Sequence, residues 1–191
     1  IDEACRAGLV AEEPGAHGRF RFAHALVRQV LLAELVTVKR VRLHRKIAEL
    51  LEASAAAGSD EHVTELAHHW FECASSGSAD KAVAYCRRAA DEAVERLAYE
   101  EAADLYGMAL QALESVDDDI GTTRDDLLLA RCDALLTAGE VAEARSAIDD
   151  LERGAASPHL QAWHTVFSAQ LAVLAEPDRL TSVVEPLGTA A

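Results

Sequence analysis

Eight cations crowd the segment from Arg19 to Lys46: Arg19, Arg21, Arg28, Lys39, Arg40, Arg42, Arg45 and Lys46, against one acid, Glu34. The whole chain is acidic, with a formal net charge of −15. His24 stands in "RFRFAHALVRQVLL", where strand-like alternation gives way to a helical pattern. A histidine beside an apolar stripe ordinarily caps a helix or packs in a core, and cations at helical spacing ordinarily form a solvated face. DNA contact is the other chemistry such a segment could serve. The helix ahead of it, "IDEACRAGLV", is acidic at its start and carries only Arg6, which makes a poor recognition helix.

Three further groups of residues could do chemistry. His62, His69 and Cys73 fall at i, i+7 and i+11 and share a helix face, with Cys86 a fourth possible ligand. Zinc needs four converging ligands, and burial of a small Cys with packing of the His rings is the plainer expectation, so no metal site is assigned. The acidic run "DDDIGTTRDD" lacks the alternating ligands, central Gly and terminal Glu of a calcium loop and reads as a solvated loop. No Ser/His/Asp arrangement, Gly-rich phosphate loop or catalytic acid pair stands out, so no catalytic residue is assigned.

The elements that must position these residues are helical. Half of the 191 residues are hydrophobic but only 5% are aromatic. An apolar content made mostly of Ala, Leu and Val suits closely packed helices better than a β-sandwich. No apolar run approaches the roughly 20 residues of a membrane span. Cys5, Cys73, Cys86 and Cys132 are scattered without a CxxC pair, as in a reduced, cytoplasmic protein. Outside the basic segment the strong acidity argues against a general nucleic-acid coat. The N-terminus has no Met and no signal-peptide pattern, and "PLGTAA" follows the last apolar stripe without a capping helix. The chain therefore reads as an excised piece of a longer protein.

Residues 2–9 fit the end of a helix closing near Gly8. Val10 and the Phe20/Phe22 alternation flank Pro14, Gly15 and Gly18, the pattern of a β-hairpin with a loose turn. Helical stripes follow: Leu26, Val27, Val30, Leu31 and Leu35; then Val38, Val41, Ile47, Leu50 and Leu51, broken at Gly58 and Ser59; then Val63, Leu66, Ala67, Trp70, Phe71 and Ala74. Beyond "SSGSAD", helices carry Ala82, Cys86, Ala89, Ala93 and Leu97 on one face, then Ala102, Leu105, Tyr106, Ala109 and Leu113. Thr123 and Asp126 offer a capping box for a helix over Leu127–Ala138. Gly139 separates it from Val141–Leu151. Ser157-Pro158 starts the stripe Leu160, Trp163, Phe167, Leu171 and Leu174, and Glu176-Pro177 starts a last helix with Leu180, Val183, Val184 and Leu187 inward.

"LAYEEAADLYGMAL" and "AGEVAEARSAIDDL" repeat a turn, an inward Ala and a large residue four positions on: Ala102 and Tyr106, then Ala144 and Ile148. Their spacing is 42 residues (144 minus 102), against about 34 for a tetratricopeptide unit, and the acidic loop accounts for the excess. Small residues at Ala90, Ala102 and Ala109 let antiparallel helices approach closely. Asp80–Ala191 thus resembles tetratricopeptide helical hairpins. The family's Gly before the second helix reads Leu97 in the first unit and Gly139 in the next.

"AGLVAEEPGAHGRFRFAHALVRQVLLAEL", followed by "RVRLHRKIAELLE" and "ELAHHW", is similar to signal-transduction ATPases with numerous domains, in particular the large ATP-binding regulators of the LuxR type. In that family a nucleotide-binding module precedes a winged helix, a helical arm and a tetratricopeptide-like sensor, and a DNA-binding helix-turn-helix or a nucleotide cyclase closes the chain. The resemblance is most specific over Ala7–Trp70. It implies that His24, at the helix start after the hairpin, reaches the β-phosphate of ADP held by an upstream nucleotide-binding domain. Helix N-termini favour anions and imidazole can donate to phosphate.

The expected fold is all-α: a tetratricopeptide-like right-handed α-solenoid preceded by a short β-hairpin from a winged-helix-like unit. The expected division is 1–55, the end of that module with the basic arm helices, and 56–191, the truncated helical repeats. The resemblance implies a non-enzymatic regulatory and sensor fragment of an ATP-dependent transcriptional regulator. Its repeats would bind a protein or small-molecule effector, with ATP or ADP in the parent protein and DNA contacted only through domains outside this chain. The alternative is a free-standing tetratricopeptide adaptor with no link to nucleotide.

Overall fold

The computed structural model describes residues 1–15, 19–55, 62–116, 121–154 and 158–175. The break expected at Gly58 and Ser59, the Ser157 cap and the last helix expected over 180–187 lie outside the described residues. Apart from a two-stranded sheet, the described elements are helical. By contacts the chain divides into two compact units, Ile1–Leu43 and His44–Ala191.

The first unit opens with α1 (Asp2–Arg6), a helix closed by Gly8 in the left-handed region at φ 68°. The Leu9 amide donates to the Ala4 carbonyl and the Gly8 amide to that of Cys5, the paired bonds of a Schellman cap. The chain then enters β1 (Val10–Glu12), which pairs antiparallel with β2 (Phe20–Phe22) in the register Val10 to Phe22, Ala11 to Arg21 and Glu12 to Phe20. Alternation places Val10, Phe20 and Phe22 on one face of the hairpin and Ala11 and Arg21 on the other. The Ala23 amide donates to the Leu9 carbonyl and closes the ladder. α2 (Ala25–Ala33) follows, and α3 (Thr37–Ala55) begins in this unit and ends in the other.

The helical stripes read from the sequence in α2 and α3 are present, yet they do not make a core. Leu26, Val30 and Leu31 on α2 are exposed, as are Val38, Leu43, Ile47 and Leu50 on α3. From Ile1 to Leu43 no described residue is buried. A hairpin and short helices offer too little surface to enclose one another.

The second unit continues through α4 (Val63–Phe71), a 3-10 turn at Ala74–Ser76, α5 (Ala79–Glu95), α6 (Tyr99–Leu113), α7 (Gly121–Ala138), α8 (Val141–Gly154) and α9 (Pro158–Ala175). From α4 onward each helix packs against the next. Val63, Leu66, Ala67 and Trp70 bury the inner face of α4. Ala82, Ala89, Ala90, Ala93, Ala102 and Ala109 are completely buried, so the contact between α5 and α6 is built from residues without bulk. Leu127, Leu128, Cys132, Leu135, Ala144, Ile148, Leu151, Leu160, Phe167 and Leu171 carry the core through α7 to α9.

Two inter-helix turns share one geometry. After α5 the Ala98 amide donates to Ala93 and the Leu97 amide to Val94; after α7 the Glu140 amide donates to Leu135 and the Gly139 amide to Leu136. Leu97 at φ 62° and Gly139 at φ 82° hold the left-handed position of the two caps, 42 residues apart. One expectation is corrected. The stretch 121–126, read as loop with the helix starting at Leu127, is already helical, because α7 begins at Gly121. A helix nucleated on the buried Leu127 and Leu128 extends backward at one hydrogen bond per residue.

Candidate functional site

His24 lies between the end of the hairpin and the start of α2. The backbone bond at Ala23 fixes the residue before it. Its own carbonyl accepts from the amides of Val27 at 3.1 Å and Arg28 at 3.4 Å, which makes it the N-terminal cap of α2 through its backbone. Among the described residues the imidazole makes no capping bond. It is exposed, and among the described residues it meets no hydrogen-bond partner. Arg19, Arg21 and Arg28 are exposed as well. Chemically this is a helix start with a ring that can donate outward, in a segment rich in guanidinium groups.

The four residues weighed for zinc go to separate partners. His62 Nδ1 lies 3.2 Å from a Glu65 carboxylate oxygen, one turn along α4. Cys73 is completely buried, and burial pushes its thiol up while the Arg45 guanidinium pulls it down. Cys86 Sγ donates to the Ala67 carbonyl at 3.8 Å, and burial raises its thiol to about 12. Neither thiol is poised as a thiolate ligand. Among the described residues no three His, Cys, Asp or Glu side chains are placed to hold a metal. The acidic run weighed for calcium falls partly outside the described residues, at 117–120, and the rest begins α7.

His69 has a different neighbour, one that no motif or spacing points to. Its Nδ1 lies 3.0 Å from Nδ1 of His44 on α3. The ring centroids are 5.0 Å apart and the planes tilt by 60°. That centroid separation is close to the nitrogen distance plus two ring radii, so the nitrogens meet edge to edge instead of stacking. Both rings are half-buried. Beside them Arg45 Nη2 donates to the Ser76 carbonyl at 2.8 Å, to Ser76 Oγ at 3.3 Å and to Ser78 Oγ at 3.2 Å. Lys81 Nζ donates to both Glu52 carboxylate oxygens, at 3.0 and 2.8 Å, and lies 4.1 Å from the centre of the Trp70 ring. A spacing of 25 residues across two helices carries no periodic signal, which is why His44 escaped notice.

Sequence reasoning also missed a grouping between α8 and α9. Asp149, Arg145, His164 and Ser168 line a cavity of about 230 Å³ with Ile148 and Leu171. Ser168 Oγ lies 3.4 Å from His164 Nε2, one helical turn away. Nucleophile activation needs a base within about 2.6–3.2 Å that is itself oriented by a third group. Among the described residues no bond joins Asp149 to His164, so the grouping does not assemble a triad.

No membrane-crossing candidate exists among the described residues: no helix there is long and apolar enough. Compared with protein-family models, with curated proteins and with solved structures, the chain matches none.

Proposed function

We propose that the chain is a regulatory interaction module without catalysis of its own, belonging to an ATP-dependent transcriptional regulator of the LuxR-type signal-transduction class. In this reading the first unit finishes a winged-helix-like module against a nucleotide-binding domain, and His24 meets the β-phosphate of ADP there. The observation that carries the reading is the condition of Ile1–Leu43: no described residue buried, an imidazole at a helix start with no partner among the described residues, and exposed Arg19, Arg21 and Arg28 in the same segment as the exposed Phe20, Phe22, Leu26, Val30 and Leu31. Such a unit gains most of its stability from whatever covers it. In the same reading the helices α4 to α9 form a tetratricopeptide-like right-handed α-solenoid that binds a protein or small-molecule effector. The paired caps at Leu97 and Gly139 and the buried Ala102, Ala109, Ala144 and Ile148 support that assignment.

The coding sequence ahead of Ile1 gives the first test: a Gly-rich phosphate loop followed by Lys and Ser or Thr is expected there. The second is His24→Ala in the full-length protein. Loss of a charge-assisted phosphate contact should weaken ADP retention by roughly 1.5–3 kcal/mol and shift the protein toward its active state. Unchanged ADP retention and output would return His24 to a purely capping role.

A further inference from the structure

We propose that His44 and His69 form a proton-operated clasp: it holds the C-terminal half of α3 on α4 while the rings share one proton, and it opens when both rings are charged. The residues concerned, His44–Ala55 of α3 and the helices it touches, all lie within the second unit.

The nitrogen contact sets the chemistry. At 3.0 Å one Nδ1 carries the hydrogen and the other supplies the lone pair. A protonated imidazole has hydrogens on both nitrogens. Two charged rings therefore replace the hydrogen bond with two opposed N–H groups as well as two like charges, and they cannot keep this distance.

The rest of the α3 interface decides whether one bond matters. Ala48 is the one described residue of α3 that is buried, while Leu43, Ile47 and Leu50 are exposed. Among the described residues the apolar contact of this half-helix is limited to the buried Ala48 and the half-buried Leu51. Its attachments include the His pair, Arg45 on Ser76, Ser78 and the Cys73 thiol, and Glu52 with Lys81 and the Tyr85 hydroxyl. The Glu52–Lys81 pair is partly exposed and correspondingly weak. Of these attachments the His pair is the one whose two partners both change charge between pH 5 and 8.

The surroundings disfavour a charge on His69. Burial lowers the basicity of His69 most, followed by His44; Glu65 on the same helix and Glu72 just past its end raise it and His68 lowers it, and the net direction is down. On the α3 side Arg45 adds a fixed positive charge next to His44, and Glu49 a negative one a turn further on. The buried Cys73 thiol is raised and stays neutral. A released His69 recovers its ordinary value near 6.5. Uptake of the second proton therefore goes with release: the clasp is intact above about pH 6.5 and is lost as the pH falls through the depressed value of the closed state.

Hydrogen exchange of the intact chain, followed on the peptide covering residues 44–52 and corrected for intrinsic rates, tests this at pH 7.5 and 5.5. The wild type should exchange about fivefold faster at pH 5.5, the ratio that one lost hydrogen bond corresponds to, with the α6 peptide as an unchanged control. His44→Gln, which never charges, should abolish the response. His44→Lys, charged throughout, should exchange fast at both pH values. A wild-type peptide equally protected at both pH values overturns the clasp, as does a His44→Gln variant that keeps the wild-type response. Ring titrations of the wild type by NMR give an independent reading. Coupled titration of the two rings, with the second step coinciding with α3 loosening, supports the clasp; two independent titrations overturn it.

Discussion

Ile1–Leu43 carries seven Arg and Lys against five Asp and Glu, whereas the remainder carries eleven against 28. The contrast in packing runs the same way. No described residue of the first unit is buried, while α4 to α9 bury a continuous set of Ala, Leu, Cys and aromatic side chains. The first unit owes its order to the backbone: a Schellman cap at Gly8, a three-residue ladder, and a helix started by the His24 carbonyl. The second owes its order to side chains that exclude water. Sequence hydrophobicity alone does not separate the two, since α2 is as apolar as α4 in its stripe. What separates them is whether another element is present to receive the stripe.

The largest expected effect applies one chemistry to both units. Leu127 is buried to 1% exposure and Leu26 is 72% exposed. Leu127→Ala should cost roughly 2–5 kcal/mol through lost transfer energy and a residual cavity. Leu26→Ala should stay within about 0.5 kcal/mol. Urea denaturation of both variants checks the pair. A Leu26→Ala cost comparable to that of Leu127→Ala would mean that the α2 face is covered in solution, and the comparison would break.

Helix phase was legible wherever both neighbours of a helix lie in the chain. Ala102, Tyr106, Ala109, Ala144, Ile148 and Leu151 are buried as their spacing requires. Burial of Leu26, Val30, Val38 and Leu50 was not legible, because periodicity reports a face and not its partner. Trp163 and Leu174, read as part of one stripe with Leu160, Phe167 and Leu171, are exposed at 40% and 42%, so the stripe was drawn wider than the surface available to cover it. His24 was legible as a helix start, since the change from period two to period 3.6 falls there. The His44–His69 contact was not, because a cross-helix pair depends on how α3 meets α4, which no local pattern encodes.

Within the second unit the next effect sharpens the contrast to adjacent residues. Ala102 is completely buried where α5 and α6 meet. Glu101 is half-exposed and pairs loosely with Arg96 at 3.5 Å. Ala102→Leu forces bulk into a closed contact and should cost roughly 1–3 kcal/mol. Glu101→Leu should change stability by no more than about 0.5 kcal/mol. Thermal denaturation compares them, and a more harmful Glu101→Leu would refute the phase of α6.

A polar tie of the second unit should be weaker still. Tyr106 donates its hydroxyl to an Asp91 carboxylate oxygen at 2.6 Å, joining α6 to α5. Burial raises the Tyr106 phenol most, and the bond to Asp91 raises it further. Tyr106→Phe should cost about 1 kcal/mol near neutral pH. The folded chain holds this proton more firmly than the unfolded chain does. The contribution is thus complete below the ordinary phenol value of about 10 and is lost as the pH rises through the raised value. The gap between wild type and variant should narrow above pH 10 in denaturant titrations; a gap independent of pH would assign the cost to packing alone.

The smallest expected effect has the opposite sign. Leu97 occupies the left-handed position of the cap between α5 and α6, where the first unit uses Gly8 and the other turn of the second uses Gly139. An L-residue pays about 1–2 kcal/mol in that conformation because its Cβ crowds the following carbonyl. Leu97 is 71% exposed, so its side chain returns little packing. Glycine removes the strain but adds freedom to the unfolded chain, worth about 0.4–1 kcal/mol. Leu97→Gly should therefore raise stability by about 0.5 kcal/mol, and Gly139→Leu, which creates the same strain where none exists, should lower it by about 1 kcal/mol. Midpoints of chemical denaturation resolve both. Should Leu97→Gly destabilise the chain, the exposed leucine must be making a contact that strain was accepted to keep, and the cap at residue 97 would join the α2 face as a place where something covers the protein.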